Sequence, residues 1–269
     1  VEVTQGNVTH TIRITNIRYT RGGMLTVNGI AEDVSVYDVY NAPGVGGGGT
    51  DVVVPPGDTL LEILDLPVFP HDDAEQGVVR FAAAGLEEDW QGSVIYRSDD
   101  GGTSYTPLVF VDEAAVMGTA VTVLGNTSYP QLFDQSNTVA VVLLNGELGS
   151  VSEQALLNGA NTALLGNEII QFRTATLVSS GKYVLSNLLR GRLGTEYTTA
   201  GHAAGERFIL LDARVLKSGI PTSLIGLARD YKPVSVGNTL GTTTAQSFAY
   251  QAQSLAPYAP VHITGTRDG

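Results

Sequence analysis

Alternation of apolar and polar positions runs through most of the chain. In HTIRITNIRYT (10–20), Ile12 and Ile14 alternate with Thr11, Arg13 and Thr15, the period of a half-buried strand. TRGG (20–23) supplies a glycine turn and MLTVNGI (24–30) reads as the hairpin partner. SVYDVY (35–40) and TLLEILDLP (59–67) continue the pattern. Beyond residue 77 a second series follows: VVRFAAAG, GSVIYRS, SYTPLVFV, TAVTVL, NTVAVVLL, EIIQFRTATLV, KYVLSNLL and RFILLD. These runs recur about every ten residues and close on Gly, Asn or Asp, as the strands of a sandwich or barrel do. Only SEQALLNGANTALLG (152–166) has helical spacing, with Ser152 placed to cap it, Ala155, Leu156 and Ala160 on one face, and Gly159 limiting its length. The pattern predicts a mainly β protein of β-sandwich or barrel-like modules with one short helical segment.

Breaks in the pattern divide the chain. PVFPHDDAEQG (67–77) has the prolines, acids and glycine of a linker, which sets a first block at 1–66 and a second at 78–265. NAPGVGGGGTD (41–51) is glycine-rich, but it lacks the lysine of a phosphate-binding loop and is followed by VVVPPGD, which cannot open a helix. It reads as a surface loop. His71, Asp72, Asp73 and Glu75 form the densest group of metal-ligating side chains. Neighbours in an extended chain point in opposite directions, so a solvated linker is favoured and no metal site is assigned.

Composition narrows the function. The 269 residues carry 27 acids against 15 bases, a net charge of −12, which disfavours nucleic acid and anionic lipid as partners. Only Lys182, Lys217 and Lys232 are lysines, and an arginine-weighted cation set suits paired, partly buried sites. There is no cysteine, which excludes disulfides, thiolate metal sites and a cysteine nucleophile within these residues. No apolar run reaches the ~20 residues of a membrane-spanning helix. The opening VEVTQGNVT and the closing strand-like VHIT give the expectation of a piece of a longer chain.

Three stretches carry candidate chemistry. Ser98, Asp100, Gly102 and Tyr105 fit Ser-x-Asp-x-Gly-x-Ser/Thr-aromatic, which resembles the Asp-box hairpin of sialidases and other propellers. In it the aspartate accepts N–H bonds across the turn and the glycine permits positive φ. A single copy reads as a structural hairpin. Neither Gly-x-Ser-x-Gly nor His-Glu-x-x-His occurs, and no catalytic residue or cofactor site is assigned. Glu168, inside the apolar phrase NEIIQF, is the acid expected to be buried, either with a raised pKa as a catalytic acid or, favoured here, paired with Arg173, Arg190 or Arg192. In LLRGRLGTE (188–196), Arg190 and Arg192 stand two apart at a strand end and share a face, with Gly191 and Leu193 on the other. They could grip an external anion. With Glu196 close by and Glu168 and Glu206 on neighbouring strands, an internal arginine–carboxylate clasp is the preferred reading.

Read together, Leu157–Asn161, Glu168–Phe172, Leu188–Arg192 with Gly194–Glu196, and Gly201–Phe208 form an ordered series. Upstream, Trp90–Gly92, Tyr96–Gly102 and Ala115–Gly118 extend it. The series resembles the C-terminal half of the large tail-tip protein of alphaproteobacterial gene transfer agents and related siphophages, the baseplate megatron or host-specificity protein. The resemblance covers about residues 60–265, with residues 1–59 as the end of a hub-like β region. It implies a virion component at the distal tail tip, a homotrimer contacting hub and other tail-tip subunits, supporting host attachment and tail opening, and no enzyme. It brings no catalytic residue onto these positions. Gly44–Gly49 and the stretch 67–77 are then expected to contact neighbouring subunits. The competing functions are a carbohydrate-binding module reading host surface polysaccharide or another receptor through surface tyrosines and Trp90, and, less favoured, a glycan-degrading enzyme.

Overall fold

The computed structural model describes residues 2–5, 8–20, 24–31, 57–70, 72, 76–257 and 265. Contacts divide the chain into two compact units, Val1–Val54 and Pro55–Gly269. The first contains the three-stranded sheet β1 (Glu2–Gln5), β2 (Val8–Thr20) and β3 (Met24–Ala31), with β2 and β3 paired antiparallel as the alternation predicts. The glycines of the TRGG turn, the SVYDVY run, the glycine-rich loop with Gly44–Gly49, and VHIT lie outside the described residues.

The second unit combines a sandwich and a barrel. Its strands are β4 (Thr59–Leu64), β5 (Gly77–Gly85), β6 (Ser93–Ser98), β7 (Thr106–Val111), β8 (Met117–Ala120), β9 (Val139–Leu143), β10 (Thr162–Leu165), β11 (Glu168–Ser179), β12 (Lys182–Leu189), β13 (Arg207–Leu210), β14 (Leu216–Ile220), β15 (Ala228–Ser235) and β16 (Gln246–Ala249). Sheet β14-β5-β4 packs on sheet β16-β15-β6-β7, an antiparallel three-on-four arrangement of the immunoglobulin-like kind. Between β7 and β14 the chain leaves the sandwich and builds a closed barrel in the order β10-β11-β12-β9-β8-β13, then returns. A barrel closed on itself has no open strand edge.

The boundary expected at 67–77 falls elsewhere. That stretch joins β4 to β5, which pair from Thr59↔Gly85 to Leu64↔Arg80, so it links two strands of one sheet. The division by contacts comes after Val54, and the region 78–265 is a sandwich carrying an inserted barrel.

Three apolar layers hold this unit together. Leu61, Ile63, Val79, Phe81, Ile95, Val111 and Tyr231 fill the sandwich. Val139, Val141, Ala163, Leu165, Ile170, Phe172, Tyr183, Leu185, Leu188 and Phe208 fill the barrel. Between them, Leu64, Ala82, Ala84, Met117, Leu164, Ile169 and Ile209 form a shared layer. Successive residues of β5 therefore serve two cores: Val79, Phe81 and Ala83 face the sandwich, Ala82 and Ala84 the barrel. This is why VVRFAAAG is a continuous apolar run, as strands covered on both faces are.

The short helix α1 (Glu153–Leu157) starts where Ser152 Oγ accepts from the Ala155 N–H at 3.2 Å. It ends at Asn158, before Gly159 with φ 99°, and the remainder of the predicted helical phrase becomes β10. No helix among the described residues is long and apolar enough to cross a membrane.

Candidate functional site: a saturated ionic lock at the barrel mouth

The site arises from strand alternation carried one step too far. On β11, Ile170 and Phe172 point into the barrel, so Glu168, at the same parity, is the next inward position. On β13, Phe208 points inward and Glu206 precedes it by two; past the end of β12, Arg190 follows inward-facing Leu188 by two. The pairings Leu165↔Glu168, Leu165↔Phe208 and Gln171↔Leu189 put these three positions at one mouth of the barrel. Two connections close that mouth, residues 121–138 between β8 and β9 and residues 190–206 between β12 and β13. Three consecutive strand ends thus deliver charged side chains to a place that apolar residues fill lower down.

Arg190 is 1% exposed and Glu168 fully buried. All five guanidinium N–H groups are used. Arg190 Nε and Nη2 donate to Glu168 Oε1 and Oε2, each at 2.8 Å. Nη1 donates to Asp134 Oδ2 at 3.0 Å and to the Gly125 carbonyl at 2.9 Å, and Nη2 also donates to the Thr199 carbonyl at 3.1 Å. One side chain therefore ties β11 to both capping loops. A planar five-donor fork can do this; a lysine cannot.

Glu168 is equally saturated. Besides the two bonds from Arg190, Oε1 accepts from the Gly191 N–H at 2.6 Å and Oε2 lies 2.7 Å from His202 Nε2. The other ring nitrogen, Nδ1, lies 2.7 Å from Glu206 Oε2. A ring with a carboxylate oxygen at both nitrogens satisfies both only as the doubly protonated imidazolium. The bond to Glu168, followed by the bond to Glu206, raises the His202 pKa against the burial that would lower it. Burial alone would push Glu168 up, yet the bonds from His202, Arg190 and Gly191 outweigh it and hold its carboxyl below the ordinary range. Asp134 is likewise held low against burial by Asn137, Arg190 and Ser136. Two cations face three carboxylates, so every carboxylate has a cationic partner within the site while one negative charge remains in excess.

Some sequence expectations need correcting here. Arg190 and Arg192 do not share a face. The strand ends at Leu189, and Gly191 and Leu193 both take left-handed backbone (φ 55° each), so the alternation stops between the two arginines. Arg190 enters the mouth, whereas Arg192 turns out and its Nε donates to Gln171 Oε1 at 3.0 Å. Glu196 is exposed and, among the described residues, bonds neither guanidinium; its backbone carbonyl accepts from Thr199 Oγ1 at 2.9 Å. Glu206 reaches the clasp through His202. Arg173, a candidate partner of Glu168, instead pairs on the surface with Glu153 at 3.1 Å.

Asp134 and His202 are the members that sequence reasoning missed. Each lies in a long connection, 56 residues before and 12 after Arg190, where periodicity says nothing about direction. His202 lies four residues before Glu206, a spacing that could have drawn attention to the pair.

The turn at Ser98–Tyr105 forms between β6 and β7. Ser98 Oγ donates to Asp100 Oδ1 at 2.7 Å and accepts from the Gly102 N–H at 2.8 Å, while Asp100 Oδ1 accepts from the Thr103 and Ser104 N–H groups at 3.1 and 2.9 Å. Gly102 has φ 88°, and the Lys232 ammonium lies over the Tyr105 ring at 4.9 Å. Bonds from Ser104, then Ser98, hold the Asp100 carboxyl well below its usual range. In the former linker, Asp72 is taken up by Arg80 and by Lys217 Nζ at 2.9 Å; His71, Asp73 and Glu75 lie outside the described residues. Among the described residues no group of three or more histidine or acidic side chains is arranged to hold a metal ion.

No curated protein matches the chain. Residues 115–209 match the family model described as Rcc01698-like, C-terminal, a gene-transfer-agent-related family. That span coincides with the six barrel strands, β8 to β13, and contains every member of the ionic lock. Through its barrel, then, the chain is similar to gene-transfer-agent-related proteins.

Proposed function

We propose that the chain is a structural module of a phage or gene-transfer-agent tail tip or baseplate, assembled as a homotrimer with hub and neighbouring tail-tip subunits at the distal end of the virion. The observation that carries the reading is the coincidence of the family match with the barrel and its lock. The chemistry supports a mechanical role. Every donor of Arg190 is engaged inside the protein, and so are both oxygens of Glu168, which leaves neither group to bind or protonate a substrate. A mouth sealed by internal ion pairs suits a part that must keep its shape while neighbours attach to its loops. Gold-labelled antibody against this chain, applied to intact particles, should decorate the tail end; labelling on the head, or none, contradicts the proposal.

A second reading rests on the outer surface of the same mouth. Tyr129 and Tyr197 are 63% and 77% exposed on the two capping loops that the lock holds still. Rigidly mounted, exposed tyrosines are the stacking surfaces a host-glycan reader uses. Binding on a glycan array that disappears with Tyr129→Ala and Tyr197→Ala would favour this reading over a purely structural one.

A further inference from the structure

The arginine that turns away from the lock lies on a groove of its own. Where the barrel meets the sandwich there is a cavity of about 620 Å³, lined by Arg192, Arg80, Lys217, Asp72, Asp212 and apolar side chains that include Leu193 and Val215. Its charges are unevenly satisfied. Asp72 accepts from both Arg80 and Lys217, and Asp212 is held by Arg214. Arg192 has a single partner, Gln171, at its Nε; among the described residues no carboxylate pairs with it and its two terminal nitrogens bond nothing. In a chain of net charge −12, Arg192 is thus left without an acid among the described residues, on a left-handed turn that holds it away from the acids of the lock. A groove with a bare guanidinium and apolar walls fits a carboxylate carried on an apolar or extended body.

The groove also borders an open sheet edge. Val215, Leu216 and Lys217 line it, and β14 is the end strand of the sheet β14-β5-β4, with no strand on its second side among the described residues. Lys217 pairs in register with Arg80, and both line the groove, so this face of the sheet looks into it. A strand added about 4.8 Å beyond β14 would continue the ladder. The residue it sets opposite Lys217 would point to the same side, into the groove that Arg192 also lines.

We propose that β14 and the Arg192 groove form a docking site for an extended acidic segment of a partner protein, which adds to the β14 edge and places one carboxylate on Arg192. The site lies outside the lock and does not depend on where in a particle the protein resides. Backbone pairing supplies the anchoring, and Arg192 supplies the preference for an acid.

The test uses the full chain, labelled for amide NMR, and two blocked nonapeptides of alternating threonine and valine that differ only in a central glutamate or glutamine. The glutamate peptide should shift the amides of residues 215–220 to saturation and bind about tenfold tighter than the glutamine peptide. Arg192→Gln, with amides elsewhere unchanged as proof of folding, should bring the two peptides to equal affinity, and Arg192→Lys should restore part of the difference. Absence of shifts at 215–220 at millimolar peptide, equal affinity for the wild-type chain, or a preference that survives Arg192→Gln would overturn the proposal.

Discussion

At the scale of single residues, the barrel mouth shows how a buried charge is made tolerable. Glu168 would favour neutrality if burial acted alone, yet it stays ionised because four donors converge on it. This makes stability depend on pH in two directions. The folded pKa of His202 lies above its ordinary value of 6.5, so its contribution is complete below about pH 6.5 and is lost as pH rises through the folded value. Glu168 and Asp134 have folded pKa values below their ordinary 4.5 and 3.8; their contribution is present above those values and is lost as pH falls through the folded ones. Denaturant unfolding as a function of pH should therefore show a plateau with an acid limb and a limb on its alkaline side. His202→Gln should remove the alkaline limb and keep the acid one; profiles of identical shape would count against the imidazolium. Glu168 was recognisable from sequence because an acid in NEIIQF interrupts an otherwise apolar strand. Its histidine partner was not, because it comes from a loop.

At the scale of elements, alternation identified most of the strands but not how they change face. Along β12, Tyr183 and Leu185 point into the barrel, and then Leu188 does, because Asn187 takes φ 54° and shifts which side is inward. A strict period of two would have kept Asn187 and Leu189 on the side of Tyr183 and Leu185. Such a switch depends on the curvature of a closing sheet, which no short sequence window records. The turn after β12 is a similar case. Gly191 sits at φ 55°, and a Cβ there would lie 2.7 Å from Glu196 Cα and 3.0 Å from Thr199 Cγ2. Gly191→Ala should cost at least about 1–2 kcal/mol, read as a lower denaturant midpoint with an unchanged slope. An unchanged midpoint would mean that the turn is not held as described. The hydrogen bonds of the Ser98–Ser104 turn were legible, since they run between residues close in sequence, whereas the Lys232 contact on Tyr105 comes from a distant strand and was not.

At the scale of the molecule, the insertion of the barrel into the sandwich was not legible. The strand runs on either side of it look alike, and the one linker-like stretch, 67–77, joins β4 to β5. Membership in one sheet or another is decided by pairings between distant strands, such as Leu216↔Phe81 and Tyr231↔Arg97. The layer shared by Ala82, Ala84, Leu164, Ile169 and Ile209 couples the two parts, and the Arg207–Glu62 pair at 2.9 Å adds a bond between β13 and β4. Barrel and sandwich should therefore unfold together. The chain has a single tryptophan, Trp90, packed against the sandwich core, so its fluorescence reports on the part of this unit that lacks the lock. Arg190→Ala would leave Asp134 buried without its cation and Glu168 with His202 alone, a loss of about 3–5 kcal/mol for a broken buried pair. The most direct measurement is the denaturant unfolding of Arg190→Ala followed through Trp90. A lock that holds the barrel, in a barrel that shares its core with the sandwich, predicts a single transition at lower denaturant, with the unfolding free energy reduced by that amount. A Trp90 transition at the wild-type midpoint would contradict it.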